Sequence, residues 1–81
     1  MYIAVRHEIS DPKSFWEKAV NLAIPSEIKL HSSFPNTDGS KGNCLWEADS
    51  IDQVKTLIES NLGDYSKNEY FEVNPKKSVG I

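Results

Sequence analysis

Several features that would mark particular protein classes are scarce or absent in this sequence. Cys44 is the only cysteine among 81 residues, so the chain cannot form a disulfide within itself. The opening segment, MYIAVRHEIS, lacks the basic start and the apolar run of a secretory signal. No apolar stretch approaches the roughly 20 residues of a membrane helix. We therefore expect a soluble cytoplasmic protein with no membrane partner.

Binding motifs and strong charge bias are also missing. The net charge is −3, and the 9 basic residues are interleaved with 12 acidic ones, which argues against a nucleic-acid partner. The sequence has no P-loop, GxGxxG, GxSxG, CxxC or HExxH motif. We expect no cofactor and no dedicated metal site, although His31 and Glu47 would suit an ion shared across a dimer interface.

The apolar periodicity and the turn residues predict six elements within one domain, residues 1–81. Alternation of apolar and polar residues predicts strands at 2–9, 28–34, 43–48 and 70–73. A helix is predicted at 12–22, because Asp11 and Pro12 suit the N-cap and the first helical position. A second is predicted at 51–62, between a Ser50/Gln53 capping box and Gly63, which suits a left-handed C-terminal cap.

The order strand, helix, strand, strand, helix, strand is that of the ferredoxin-like α+β sandwich. We expect an antiparallel sheet in the order 4-1-3-2 with both helices on one face. In that sheet we expect strands one and three to lie side by side in the centre and, as an exception, to run parallel. The other face of the sheet is expected to be uncovered.

Side-chain alternation assigns each strand residue to one of the two faces. The residues expected beneath the helices are Ile3, Val5, Ile9, Ile28, Leu30, Phe34, Cys44, Trp46, Ala48, Phe71 and Val73. Those expected on the open face are Tyr2, Ala4, Arg6, Glu8, Lys29, His31, Ser33, Leu45, Glu47, Tyr70 and Glu72. Two tyrosines and a leucine among charged residues are typical of a partly covered surface or a ligand cavity. The expected core is Val5, Leu30, Trp46, Val54, Ile58 and Phe71.

The segments IKLHSSF and GNCLWEADS place His31 and Ser32 on the second strand and Cys44 on the third. With this topology and length, the chain resembles the dimeric α/β-barrel superfamily, and within it a group of short uncharacterised bacterial proteins. In that superfamily two ferredoxin-like chains pack their open sheet faces together. Its members include cofactor-free monooxygenases, isomerases and small binding proteins. The resemblance implies a homodimer with a cavity between the sheets and does not select one reaction.

Three functions remain open for the open face. The first is a homodimeric protein that binds a small-molecule ligand through Arg6, His31, Glu47, Tyr70 and Glu72. The second is a cofactor-independent enzyme in which His31 is the general base and Arg6 stabilises an anionic intermediate. The third is a structural or interaction module, with the same charges forming ordinary cross-strand ion pairs.

Two further polar residues fall on the helix side of the predicted sheet. His7 lies between Val5 and Ile9, where a hydrogen-bonded packing histidine is the favoured interpretation. Cys44 alternates with Trp46 and Ala48, so we expect it to be a small buried hydrophobic residue rather than a nucleophile or redox thiol.

Overall fold

The computed structural model describes residues 1–81, which form four strands and two helices in the predicted order. The strands are β1 (Tyr2–Ile9), β2 (Lys29–Pro35), β3 (Lys41–Glu47) and β4 (Ser66–Val73), and the helices are α1 (Pro12–Val20) and α2 (Ile51–Leu62). This arrangement is the expected ferredoxin-like α+β fold. Neither helix has the length and apolar character needed to cross a membrane.

The four strands form one sheet in the order β2-β3-β1-β4, as expected. The expected parallel pairing of β1 and β3 is wrong, because every neighbouring pair runs antiparallel. The reason is topological. The crossover through α1 makes β2 parallel to β1, and the hairpin makes β3 antiparallel to β2. A strand inserted between two parallel strands in this way must oppose both.

Both helix starts are those that the sequence predicts. The Asp11 carboxylate accepts a hydrogen bond from the Ser14 amide at 3.2 Å. The Ser50 and Gln53 side chains each accept from the other residue's backbone N–H, which completes the capping box.

The helix ends are less accurately predicted. Helix α1 ends at Val20 instead of residue 22, and the Asn21 side chain donates to the Glu17 carbonyl. The left-handed cap expected at Gly63 is also wrong: Gly63 has φ −61° and ψ −24°, which continues the right-handed turn. The glycine is still required there, because a Cβ would lie 2.5 Å from the Glu59 carbonyl oxygen.

A core of eleven buried apolar residues lies between the helices and one face of the sheet. It includes Val5, Trp46, Val54 and Ile58, as expected. Phe15 is fully buried beside them, and the partly buried Trp16 donates from Nε1 to the Gly39 carbonyl at 2.9 Å. The remaining core residues are Ile3, Ile9, Ile28, Cys44, Ala48 and Leu62.

The expected burial of Leu30, Phe34 and Phe71 is wrong, since they are 38 %, 54 % and 57 % exposed. Leu30 lies on the helix side of β2, but β2 is an edge strand and all of its residues are exposed. A register shift between Leu30 and Ser32 inserts His31 as an extra residue, so Phe34 pairs with Asn43 on the open face.

Strand β4 is also displaced from its predicted position and alternation. It begins at Ser66, four residues before the predicted start. Its Tyr70 pairs with the buried Val5 and its Phe71 with Ala4, so Tyr70 faces the helices and Phe71 the open side. Tyr70 is accommodated there because its hydroxyl donates to the Glu59 carboxylate of α2.

We expect Ile58→Ala to lower the free energy of unfolding by about 2–5 kcal/mol, because it leaves a cavity at a side chain that is only 1 % exposed. Denaturant unfolding followed by circular dichroism measures the loss. Val20→Ala is a suitable control, since Val20 is a helical residue that is 79 % exposed. Equal effects of the two substitutions would contradict the packing of α2.

Candidate functional site

The face of the sheet that no helix covers carries a band of apolar side chains. Strand register places Ser32, Leu45, Ala4 and Phe71 in one row across all four strands. The neighbouring row contains Phe34, Asn43, Arg6 and Glu69. The two half-exposed phenyl rings therefore lie on the two edge strands, on either side of the smaller central residues.

A groove of about 900 Å³ runs over this face. Its lining includes Leu45, Phe34 and Phe71, together with the polar residues Arg6 and Asn43. The C-terminal residues Val79, Gly80 and Ile81 also line it. The groove therefore combines an apolar band with polar and charged residues around it, a mixture that suits an amphipathic small molecule.

His31 and Glu47 form a polar pair at one end of the face. The register shift in β2 places His31 beside β3, where its Nε2 lies 2.8 Å from Glu47 Oε1. The His31 ring also lies 5.3 Å, centroid to centroid, from the ring of Tyr2. The hydrogen bond from His31 is the main cause that lowers the pKa of the Glu47 carboxyl. The pair thus holds an ionised carboxylate against an imidazole.

The remaining predicted site residues are not all brought to this pair. Arg6 is exposed on the open face, but it pairs with Asn43 and Glu69 and lies four residues along β1 from Tyr2. Tyr70 and Glu72 lie on the helix face, because they pair with the buried Val5 and Ile3. The expectation that they share a face with His31 is wrong.

A second group of polar residues, on the helix side of the sheet, was not predicted as a site. His7 Nε2 lies 2.9 Å from Cys44 Sγ, and His7 Nδ1 lies 2.5 Å from Asn68 Oδ1. Asn68 Nδ2 in turn donates to the Glu59 carboxylate at 2.8 Å. His7 is 1 % exposed and Cys44 is 8 % exposed, so the chain is buried at the thiol and reaches the exposed Glu59 carboxylate at its other end.

These hydrogen bonds determine which nitrogen of His7 carries the proton. Because Asn68 Nδ2 donates to Glu59, its Oδ1 faces His7 and also accepts from the Ser66 hydroxyl. An oxygen at that position requires a proton on His7 Nδ1. Nε2 then carries the lone pair, and the Cys44 thiol donates to it. A thiol, a base and a group that orients the base are thus arranged in line.

Sequence alternation correctly assigned His7 and Cys44 to the helix face but did not bring them together. The contact depends on the register between β1 and β3, which offsets the two residues by two positions. Asn68 was assigned to a polar connection, although it lies within β4 opposite His7. The signal in the sequence that could have revealed this contact is Asn68, an amide side chain in the strand next to the one that carries His7.

No group of three or more histidine, cysteine, aspartate or glutamate side chains is arranged to hold a metal ion. Comparisons with protein-family models, with curated proteins and with solved structures found no match. The case for function therefore depends on the geometry of these two sites.

We expect the protein to lose stability as the pH falls from about 7.5 to about 5.5. Burial lowers the pKa of His7, against the opposing effects of Asn68 and the Glu59 charge. The unfolded chain, with a histidine pKa of about 6.5, therefore binds more protons than the folded chain in this range. The other titratable side chains near His7 are Cys44 of β3, Glu59 of α2, and Tyr70 of β4, which donates a hydrogen bond to Glu59. Helix α1 places only the Phe15 ring against His7, and that ring does not titrate.

Melting temperatures at the two pH values measure this effect. His7→Gln should remove most of the difference, and His31→Gln, which leaves the buried ring in place, should retain it. A pH dependence that persists in His7→Gln would assign the loss to other groups.

Proposed function

We propose that the protein is a homodimer that binds a small molecule between two open sheet faces. The observation that carries this proposal is the uncovered apolar band of the open face, which contains two half-exposed phenyl rings and borders the His31–Glu47 pair. Exposed apolar patches rimmed by polar groups commonly mark interaction or ligand sites.

A second copy of the chain is the favoured partner for this face. The accessible surface of the chain is 5410 Å², against roughly 4,900 Å² for a typical monomeric protein of its mass. A symmetric interface must be complementary to itself. The open face meets this requirement because it carries both signs of charge, from Arg6, Glu8, Lys29, Lys41, Glu47, Lys67 and Glu69.

The groove favours a bound ligand over a completely filled interface. Its apolar residues would contact the body of a small molecule, while His31 and Glu47, which lie on the same face outside the groove lining, offer a donor and an acceptor. Arg6, which has no ion-pair partner within its own chain, suits an anionic group. We therefore propose a ligand with an apolar body and a carboxylate or similar group.

An enzyme that uses His31 as base and Arg6 as anion clamp is less well supported. Four residues of strand separate Arg6 from the row that contains Tyr2 and Glu47, a distance of roughly 13 Å. A general base and an anion clamp acting on one small substrate need to lie closer together. Binding is therefore the function that these residues support best.

We expect Phe71→Glu to convert the dimer to a monomer, because it places an unpaired charge within the apolar band of the proposed interface. Sedimentation velocity at micromolar concentration measures the change. Val20→Glu is the matched control, since it introduces the same charge at an exposed position on α1 and should leave the dimer intact. A monomeric wild-type protein would reject the proposal. A dimer that persists in Phe71→Glu would indicate another interface, such as the exposed edge of β2.

We expect anilinonaphthalene sulfonate, which combines an apolar ring system with a sulfonate, to bind the wild-type dimer saturably at a fixed stoichiometry. Arg6→Gln should weaken binding severalfold by removing the charge that faces the sulfonate, as a fluorescence titration would measure. Lys55→Gln removes the same charge from the exposed side of α2 and serves as the control. Absence of binding by an intact dimer would favour the structural or interaction module.

A further inference from the structure

The sulfur of Cys44 is surrounded by groups that suit a reactive thiol. His7 Nε2 lies 2.9 Å from it and Ser33 Oγ lies 3.4 Å from it. Trp46 follows two residues later on the same face of β3, and its indole is buried with the sulfur. Burial raises the pKa of the Cys44 thiol, and the nearby donor groups of Ser33 and Trp46 oppose that rise without cancelling it. Both neighbours therefore favour negative charge at the sulfur.

Trp46 provides an independent indication that something is bound here. Its Nε1 is the one buried side-chain nitrogen or oxygen atom in the chain that lacks a hydrogen-bond partner, and the residue is 2 % exposed. Buried donors normally have an acceptor. A neutral thiol is a weak acceptor, whereas an oxygen atom attached to the sulfur would be a strong one. The unpartnered N–H thus suits an oxygenated form of Cys44.

We propose that Cys44 is a nucleophilic thiol that hydrogen peroxide oxidises to a sulfenic acid, with His7 as its general base and Trp46 as the donor to the oxygen that the sulfur gains. The side chains of this site lie on the opposite face of the sheet from Arg6 and Phe71, although His7 and Cys44 also contribute to the lining of the groove. The inference does not depend on a ligand in the groove.

The reaction balances with peroxide as the oxidant. The Cys44 thiol transfers its proton to His7 Nε2, which the hydrogen bond from Nδ1 to Asn68 leaves free to accept it. The sulfur then attacks one peroxide oxygen, so that an S–O bond forms and the O–O bond breaks. The departing hydroxide takes the proton from His7 Nε2 and leaves as water. Sulfur loses two electrons and peroxide gains them.

The burial of Cys44 limits the size of the oxidant, and the absence of a second cysteine limits how the sulfenic acid can be reduced. Cys44 is only 8 % exposed, which favours a molecule as small as hydrogen peroxide over a peptide or ester. Access is from the side of β2, where Ser33, a neighbour of the sulfur, is exposed. Because the chain has no second cysteine, a thiol from another molecule must reduce the sulfenic acid.

The wild-type protein supplies the first test. Peroxide is added at several pH values between about 6 and about 8, the protein is denatured after set times in the presence of dimedone, and the trapped sulfenic acid is measured by mass spectrometry. A rate that levels off once His7 is neutral supports base assistance by His7. A rate that climbs about tenfold per pH unit throughout, as the thiolate fraction of an unassisted thiol does, would overturn it.

Two variants separate the roles of the neighbours. His7→Gln should slow oxidation at least tenfold, because glutamine cannot act as a base. Trp46→Phe should slow oxidation severalfold more than it slows alkylation by iodoacetamide, because both reactions lose a donor that favours negative charge on the sulfur but only oxidation places an oxygen there. Lys55→Gln, on the exposed side of α2, is the control and should match the wild type in both reactions.

A purely structural role for the cluster predicts the opposite result. Loss of His7 would then loosen the packing around Cys44 and make the thiol react as fast as in the wild type, or faster. Circular dichroism establishes that each variant is folded. If His7→Gln does not fold, the wild-type pH profile and Trp46→Phe decide the question, and equal slowing of oxidation and alkylation in Trp46→Phe would reject the role of its indole.

Discussion

The structure depends on a constraint of area, since two helices must cover a four-stranded sheet. A helix with its side chains is about 10 Å wide and neighbouring strands lie about 4.8 Å apart, so two helices cover no more than one face. Here they cover β1, β3 and β4 better than β2, whose residues are all exposed. The open face and the helix-side surface of β2 are the two uncovered regions. The proposed groove occupies the first, and the second leads to Cys44.

A single extra residue in β2 determines the chemistry of both regions. Before the irregularity at His31, the strand alternates as its apolar pattern requires, and Leu30 faces the helices. After it, the alternation is reversed. Ser33 then faces Cys44, and Phe34 lies on the open side. His31 itself reaches Glu47 from the irregularity. Local displacement of a side chain is a common function of a β-bulge next to a site.

The sequence was sufficient for properties that depend on neighbours along the chain. Asp11, Ser50 and Gln53 fix the helix starts through contacts three residues apart, and apolar spacing identifies α2 from end to end. Properties that depend on pairing between strands were not accessible. Tyr70 and Phe71 lie on the faces opposite to those expected because of the register in which β4 pairs with β1, and the local sequence of β4 does not encode that register. The His7, Cys44 and Asn68 contact requires the register of three strands at once.

The two proposed sites share strands but not side chains. His7 alternates with Arg6 and Glu8 along β1, and Cys44 alternates with Asn43 and Leu45 along β3. Successive side chains point to opposite faces, so the His7 and Cys44 side chains lie on the helix face, although both residues also line the groove. A substitution at Phe71 removes no contact of Cys44, and one at His7 removes no contact of His31. The two functions can therefore be tested, and rejected, independently of each other.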